Sequence, residues 1–539
     1  MKSLRSNKWL TLGVLCLTVL VIMIDNTIVN VALPTISHDL GAGTSGLQWV
    51  VDAYTLVFAG LLLGAGHAGD RFGRKRVLLI GLIGFGAMST VAALMTSLNG
   101  LITARAGLGL FAALIFPATL ATVMAAFQGE SPSAGRQRAI AVGIWAAMAG
   151  VGVAIGPVAG GFLLEHYSWA SVFWVNVPYS VVVVVVAAVL LPESRGHEEG
   201  RFDFAGLTLS IAAIGVLVWT IIEAPHHGWN SGLTVIGFAC ATVLLVTFIG
   251  WERHVNDPLL DVTLFTNRRF AVSVLVISIA FFSLFGFIFL VTQYFQVLRE
   301  YGTLSAGLHT LPFAIVMAVF SPIAMVCAKL LPGHWVIGAG LATMGGGFYM
   351  VTLMDLDTSY WRVVIMSMSL MAAGLAFVQG PATEILMNTL PLDKAGSGSA
   401  VNDTSREIGG TLGVAVVGSV MATSFASHCM LVLTPLPIPD PAKAAASSSF
   451  VAGADMARQL PGDFGAHVLL LIKASFGVAM QDATWVAVGA CWVGALIAAV
   501  GLRPDRSKSG RREGSTESGS SPERSSARES SVRTGKPLQ

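Results

Sequence analysis

Fourteen stretches of about 20 or more mostly apolar residues succeed one another along the chain, and no other feature limits its fold so tightly. They fall near 9–33, 46–67, 76–96, 99–127, 138–164, 169–192, 204–224, 231–251, 270–297, 304–330, 334–354, 361–389, 398–427 and 481–502. Each is long enough for a helix to cross the hydrocarbon of a bilayer. The fold class read from them is therefore an all-α integral membrane protein with 14 transmembrane helices. Composition agrees, because 54% of the 539 residues are hydrophobic, 12% are charged and mean hydropathy is +0.73. The net charge of +2 leaves no broad basic face for nucleic acid. Five cysteines stand singly, without metal-ligand spacing or a disulfide framework, so no metal site is expected. The first run is too long for a signal-peptide core and reads as an uncleaved first span.

An even number of spans puts both termini on one side, and basic residues mark that side as cytoplasmic. Alternate loops carry Arg71, Arg74, Lys75, Arg76, Arg136, Arg138, Arg195, Arg201, Arg253, Arg268, Arg269, Lys329 and Lys394. The short loops opposite hold only Arg299 and Arg362. Residues 504–539, rich in Ser, Arg, Glu and Gly, predict a disordered cytoplasmic tail. Residues 428–480 predict an outer loop whose end, FGAHVLLLIKASFGVAM, is too short and too interrupted by Lys473 for a further span. It would lie on the membrane or re-enter it.

Ionisable groups within spans are costly, which makes each a candidate for function. Asp25, Asp52 and Arg105 lie at similar depth on the first, second and fourth spans. Two readings stay open. The three form a structural ion pair, or the excess carboxylate exchanges protons as part of a relay. Glu384, Arg406 and Glu407 form a second group toward the cytoplasmic halves of spans twelve and thirteen, where Arg406 could neutralise either acid. Glu223 sits near the outer end of span seven, either solvated or facing substrate. The fifth span contains GVGVAIGPVAGG, in which Pro157 removes a backbone hydrogen bond and Gly152, Gly156, Gly160 and Gly161 permit close helix approach. That pattern suits a hinge, or an ordinary small-residue seam. Between spans two and three, GDRFGRKR puts five charges into eight residues. Orientation of the chain explains Arg71 to Arg76 but not Asp70 or Gly73.

Taken together these stretches resemble the major facilitator superfamily, and within it the fourteen-helix drug/proton antiporters of the multidrug efflux type. GHAGDRFGRKR is similar to that family's loop between helices 2 and 3, matching at Gly66, Asp70, Arg71, Gly73, Arg74 and Lys75, with Ala68 in place of the usual leucine. LITARAGLGLFAA resembles its helix 4 signature through Arg105 and Gly109, with Leu108 in place of glutamine. GPVAGG resembles the antiporter signature of helix 5, IDNTIVNVALP that of helix 1, and SWASVFWVNVP the start of helix 6 with Ala170 in place of arginine. The resemblance implies a major facilitator fold: a six-helix bundle in 1–200, a two-helix insert in 201–256 and a second six-helix bundle in 257–503. It implies that the charged loop latches one access state while the bundles rock about a central site. The implied function is proton-coupled efflux of amphipathic or cationic drugs or antibiotics through the cell membrane, with no cofactor beyond the proton gradient. Partners are then a small-molecule substrate, protons and membrane lipid. Export of an endogenous metabolite or lipid, and a receptor or scaffold without transport, are the alternatives. No GxxxxGK[ST] loop supports an ATP-driven pump, and no catalytic residues are expected.

Overall fold

A computed structural model describes residues 7–127, 132–195, 203–354, 358–390 and 395–503. No strand occurs among the described residues. The long helices are α1 (Lys8–Leu40), α2 (Thr44–Phe72), α3 (Arg74–Ala93), α4 (Leu98–Ala126), α5 (Pro132–His166), α6 (Asn176–Leu190) and α7 (Phe204–His227). They continue with α8 (Gly232–Glu252), α9 (Arg268–Gln293), α10 (Leu311–Leu330), α11 (Gly333–Val351), α12 (Ile365–Asn388), α13 (Ala395–Leu433) and α14 (Gly462–Gly501). Among the described residues, 13 helices are long and apolar enough to cross a membrane. The remaining expected span, 334–354, corresponds to α11, whose six glycines dilute its hydropathy. Those glycines serve packing, since a Cβ on Gly340 would stand 2.9 Å from the Gly374 carbonyl of α12.

The breaks between helices are local chemistry. Asn7 accepts the free N–H groups of Trp9 and Leu10 at the start of α1, and Ser97, Asp203, Ser231 and Asn267 cap α4, α7, α8 and α9 in the same way. Gly41 ends α1 at φ 64° and Gly73 separates α2 from α3 at φ 105°, both in the region that favours glycine. At Gly73 a side chain would also strike the Glu193 carboxylate.

The end of the chain departs from the sequence reading. Residues 464–480 neither re-enter nor lie flat, because they form the first half of the 40-residue α14. At 1.5 Å per residue that helix is about 60 Å long, so its first half projects beyond a hydrocarbon layer about 30 Å thick. Lys473 is tolerated there because its ammonium pairs with Glu300. The segment before it, expected as an outer loop, is also helical, with short helices Asp440–Ser448 and Phe450–Gln459 packed against α13 and α14. The tail 504–539 lies outside the described residues.

Packing is densest for α2 with α4, α1 with α5, α9 with α13, α3 with α4 and α11 with both α12 and α14. Helices α7 and α8 pair with each other, and α7 lies against both α2 and α13. Helix α2 in turn packs along α13, and the chain to Leu502 is one compact unit.

Candidate functional site

The α4 helix closes on α2 at Gly109, where a Cβ would overlap the Tyr54 carbonyl. One turn away, Arg105 is carried into the bundle, 1% exposed. Its Nη1 donates to Asp25 Oδ2 on α1 at 2.7 Å, its Nε to the Val50 carbonyl at 3.0 Å, and its guanidinium lies 4.4 Å from the Tyr54 ring centre. The other oxygen of Asp25 accepts from Asn176 Nδ2 on α6 at 2.7 Å, and that amide also reaches Ser89 on α3 at 3.2 Å. One fully buried carboxylate thus ties together α1, α3, α4 and α6. Each charge is paired and hydrogen-bonded, the arrangement in which a buried ion pair is tolerable.

Asp52 does not face Arg105, contrary to the reading of two carboxylates about one arginine. At 100° per residue Asp52 lies about 200° around α2 from Val50, the residue that Arg105 touches. It shares instead the face of Gln48 and Thr55, at spacing i, i+4, i+7. Gln48 Nε2 donates to the carbonyls of Val414 (3.2 Å) and Ala415 (2.8 Å) on α13, and Thr411 of α13 donates to Thr55 Oγ1 at 3.0 Å. Asp52 is therefore set in the α2–α13 seam, 0% exposed, and neither of its carboxyl oxygens has a hydrogen-bond partner. The Thr55 hydroxyl donates at 3.4 Å to the main-chain carbonyl of Asp52 and also lies within electrostatic reach of its carboxyl group.

The second expected group is rearranged as well. Arg406 stands 4.0 Å from Asp403 and 5.0 Å from the Phe281 ring centre, and forms no ion pair with Glu384 or Glu407. Asp403 accepts from Asn402, which accepts from Thr383 of α12. Glu407 Oε2 and Arg406 Nε are buried without partners. Glu384 is half-buried on α12, apart from this network. Glu223 accepts from Trp49 Nε1 at 3.2 Å, which joins α7 to α2.

Helix α5 runs unbroken through Pro157. Gly152, Gly156 and Gly160 form a stripe against α1, where a Cβ would meet Met23, overlap the Thr27 hydroxyl or meet Ile28. Gly161 and the Pro157 carbonyl instead receive the short helix Thr303–His309, with Thr303 Oγ1 donating to the Gly161 carbonyl at 3.0 Å. Together with Gln296 Nε2 to the Val31 carbonyl at 2.9 Å, these contacts and those of Gln48 join α1–α6 to α9–α13 at the end remote from Gly73.

At the Gly73 end, Asp70 accepts from Arg74 Nε at 2.8 Å and Nη2 at 2.7 Å, not from a neighbouring helix N-terminus. Arg74 Nη1 also donates to the Ala121 carbonyl of α4 (3.1 Å), and Lys75 Nζ to the carbonyls of Ala188 (2.7 Å) and Leu191 (2.8 Å) at the end of α6. These cations sit on helix C-termini, where the backbone dipole favours them. Arg71 is exposed over Phe72, and Gly66 faces Pro117.

Sequence reasoning missed Asn176, Asp403, Gln48 and Tyr54. The Tyr54 hydroxyl is buried without a partner, within electrostatic reach of Asp25, Arg105 and Glu407. A polar side chain within an apolar run was the available signal for Gln48, Asn176 and Asp403. Among the described residues no three His, Cys, Asp or Glu side chains converge as a metal would require.

The sequence matches the Major Facilitator Superfamily over residues 15–414. It is 33% identical over 495 residues to the multidrug efflux pump LfrA of Mycolicibacterium smegmatis, covering 92% of this chain and 96% of that one. It is 34% identical over 471 residues to the methyl viologen resistance protein SmvA of Salmonella typhimurium, covering 87% and 93%. The fold is similar to that of a crystallised bacterial homologue of the human lysosomal transporter Spinster, with TM-score 0.63, 18% identity and coverage of 93% and 98%.

Proposed function

The chain belongs to the Major Facilitator Superfamily, as a multi-pass membrane transporter and not an enzyme, and we propose that it exports amphipathic or cationic drugs in exchange for protons. The relatives named for multidrug efflux and methyl viologen resistance support this substrate class. The proposed location is the cell membrane, with both termini in the cytoplasm, so that the end remote from Gly73 faces outward. The seam closed at that end then corresponds to an inward-facing state.

The observation that carries proton coupling is Asp52, buried in the α2–α13 seam with both oxygens unpartnered. An isolated carboxylate buried in this way is costly, so the closed seam requires Asp52 in its neutral form. Loss of the proton restores the charge and favours reopening of the seam to water. Proton binding from outside thereby closes the outer end, and proton release inside lets the substrate-loaded transporter reopen outward. Asp25 and Arg105 hold the first bundle rigid around this switch. In everted vesicles with an imposed pH gradient, Asp52→Asn should keep substrate binding and exchange while losing uphill transport of a lipophilic cation. Gradient-driven accumulation at the normal rate would overturn the assignment.

A further inference from the structure

Helix α7 carries a proline, Pro225, near its end. Proline has no N–H, so the carbonyl four residues earlier, that of Ile221, loses its helical partner. Within a bilayer such a carbonyl needs a donor from elsewhere. It finds one on another helix, because Ser419 Oγ of α13 donates to it at 2.8 Å. The same Oγ accepts from Gln48 Nε2 of α2 at 3.3 Å. Ser419 is fully buried, so one hydroxyl joins α2, α7 and α13 in the core. Beside it Gly418 makes room, since a Cβ there would stand 2.7 Å from the Gln48 amide.

Helix α7 follows α2 over most of its length. Ser45 is hydrogen-bonded to His226 Nε2 at 2.9 Å, and Trp49 Nε1 donates to Glu223 at 3.2 Å. Farther along, a Cβ on Gly215 would lie 3.8 Å from the Leu56 side chain and one on Gly60 2.7 Å from Ile211. Numbers thus rise on α2 in step as they fall on α7, 45–60 against 226–211, in an antiparallel match about 23 Å long. On α13 the partners are Ala415, Ser419 and Thr423. Val218, Ile221 and Ile222 bury with Ala415 in an apolar cluster flanked by Trp49 and Leu56, and Trp229 Nε1, just past α7, donates to Thr423 Oγ1 at 3.2 Å. These three positions fall in the second half of α13, toward the end remote from Gly73. Helix α7 is therefore fastened to α2 and also grips α13 where the seam is closed.

Asp52 lies one turn from Gln48 on α2, between the Gln48 bonds to Val414, Ala415 and Ser419 and the bond of Thr55 with Thr411. We propose that Ser419 is a positioning residue for that acid. By capping the carbonyl that Pro225 frees, it locks the α7–α8 pair onto α13 and holds the seam closed over Asp52. When the seam opens, the Ile221 carbonyl must exchange the serine for water, so opening and wetting of the seam are one event. The proposal rests on the export reading for the role of Asp52, whereas the lock itself is tested without transport.

Deuterium uptake by backbone amides, followed by mass spectrometry on the full-length protein in nanodiscs, reads the lock directly. Ser419→Ala should speed exchange about tenfold in both 44–56 and 411–423, the two sides of the seam, and should not speed it in 66–76 at the other end. Pro225→Ala returns an N–H to the Ile221 carbonyl. In that background Ser419→Ala should add less than about twofold, because the carbonyl no longer depends on the serine. An equal effect of Ser419→Ala with and without Pro225 would overturn the proposal, as would unchanged exchange in Ser419→Ala. Faster exchange confined to 411–423 would reduce Ser419 to a brace within α13, and faster exchange at both ends would mark general loosening; either result sinks the lock. Normal gradient-driven transport by Asp52→Asn would instead remove the switch, and with it the positioning role, while the exchange results on the lock stood.

Discussion

Two acids at one depth carry opposite expectations once their partners are known. Asp25 neutralises a buried arginine, and Asn in its place leaves Arg105 without a counter-charge in the core. Removing one partner of a buried pair typically costs about 3–5 kcal/mol. Asp25→Asn should therefore lower the unfolding temperature in detergent clearly, along with transport. Asp52→Asn removes no bond that the structure contains, so its unfolding temperature should match or exceed wild type while proton coupling is lost. Equal thermal shifts in the two variants would contradict this division. The sequence placed Asp25 and Arg105 at a level where they meet in the structure. It could not supply the direction of Asp52, because two residues along a helix reverse the facing, and that rotation is visible only against neighbours.

At the level of elements, α5 works as a glycine seam more than as a visible bend. The expected hinge residues divide between two partners, with Gly152, Gly156 and Gly160 on α1 and Gly161 with Pro157 on the Thr303–His309 helix. A side chain at Gly156 collides with Thr27 and the Ile24 carbonyl, so Gly156→Leu should separate α5 from α1 at a cost of about 1–3 kcal/mol or more. Gly150→Leu is the control, since a Cβ there meets nothing within 4 Å. Export and cysteine labelling from both sides of the membrane should fail to alternate in the first and remain normal in the second. If both variants alternate freely, α5 is ordinary packing. The start of α14 shows the opposite lesson about elements. Lys473 and the modest length of 464–480 argued against a continuous helix, yet a helix longer than the bilayer can keep a lysine beyond the hydrocarbon and pair it across to Glu300.

Across the whole molecule the two ends are held differently. Bonds from α1–α6 to α9–α13 gather at the end remote from Gly73, whereas the charged turn at Gly73 binds α4 and α6 within the first group. The turn is thus a clamp inside one group in this state. Asp70→Asn leaves every cation in place, so chain orientation should survive. It also loosens Arg74, and a loss of about 1–3 kcal/mol in one access state would shift a balanced equilibrium about 5- to 150-fold. Export should fall in this variant. Arg76→Gln should be nearly silent, because Arg76 meets Glu193 only at 3.8 Å with 67% of its side chain exposed. Matching small losses in both variants would leave GDRFGRKR with an orienting role alone.

What the sequence determined by itself is what depends on composition and local spacing: helices long enough to cross a bilayer, their order, the glycine stripe of α5 and the burial of Asp25, Asp52 and Arg105. Hydrophobic run length and the cost of charge in hydrocarbon act residue by residue, so they can be read without coordinates. Partner choice was decided only in three dimensions. Arg406 came nearest to Asp403 and kept Glu407 only within electrostatic reach, Asn176 completed the shell of Asp25, and Asp52 was set against α13 without an ion-pair partner. Each of those outcomes depends on the rotation and separation of helices far apart in the chain, because hydrogen bonds and ion pairs fall away within an ångström or two of their optimum.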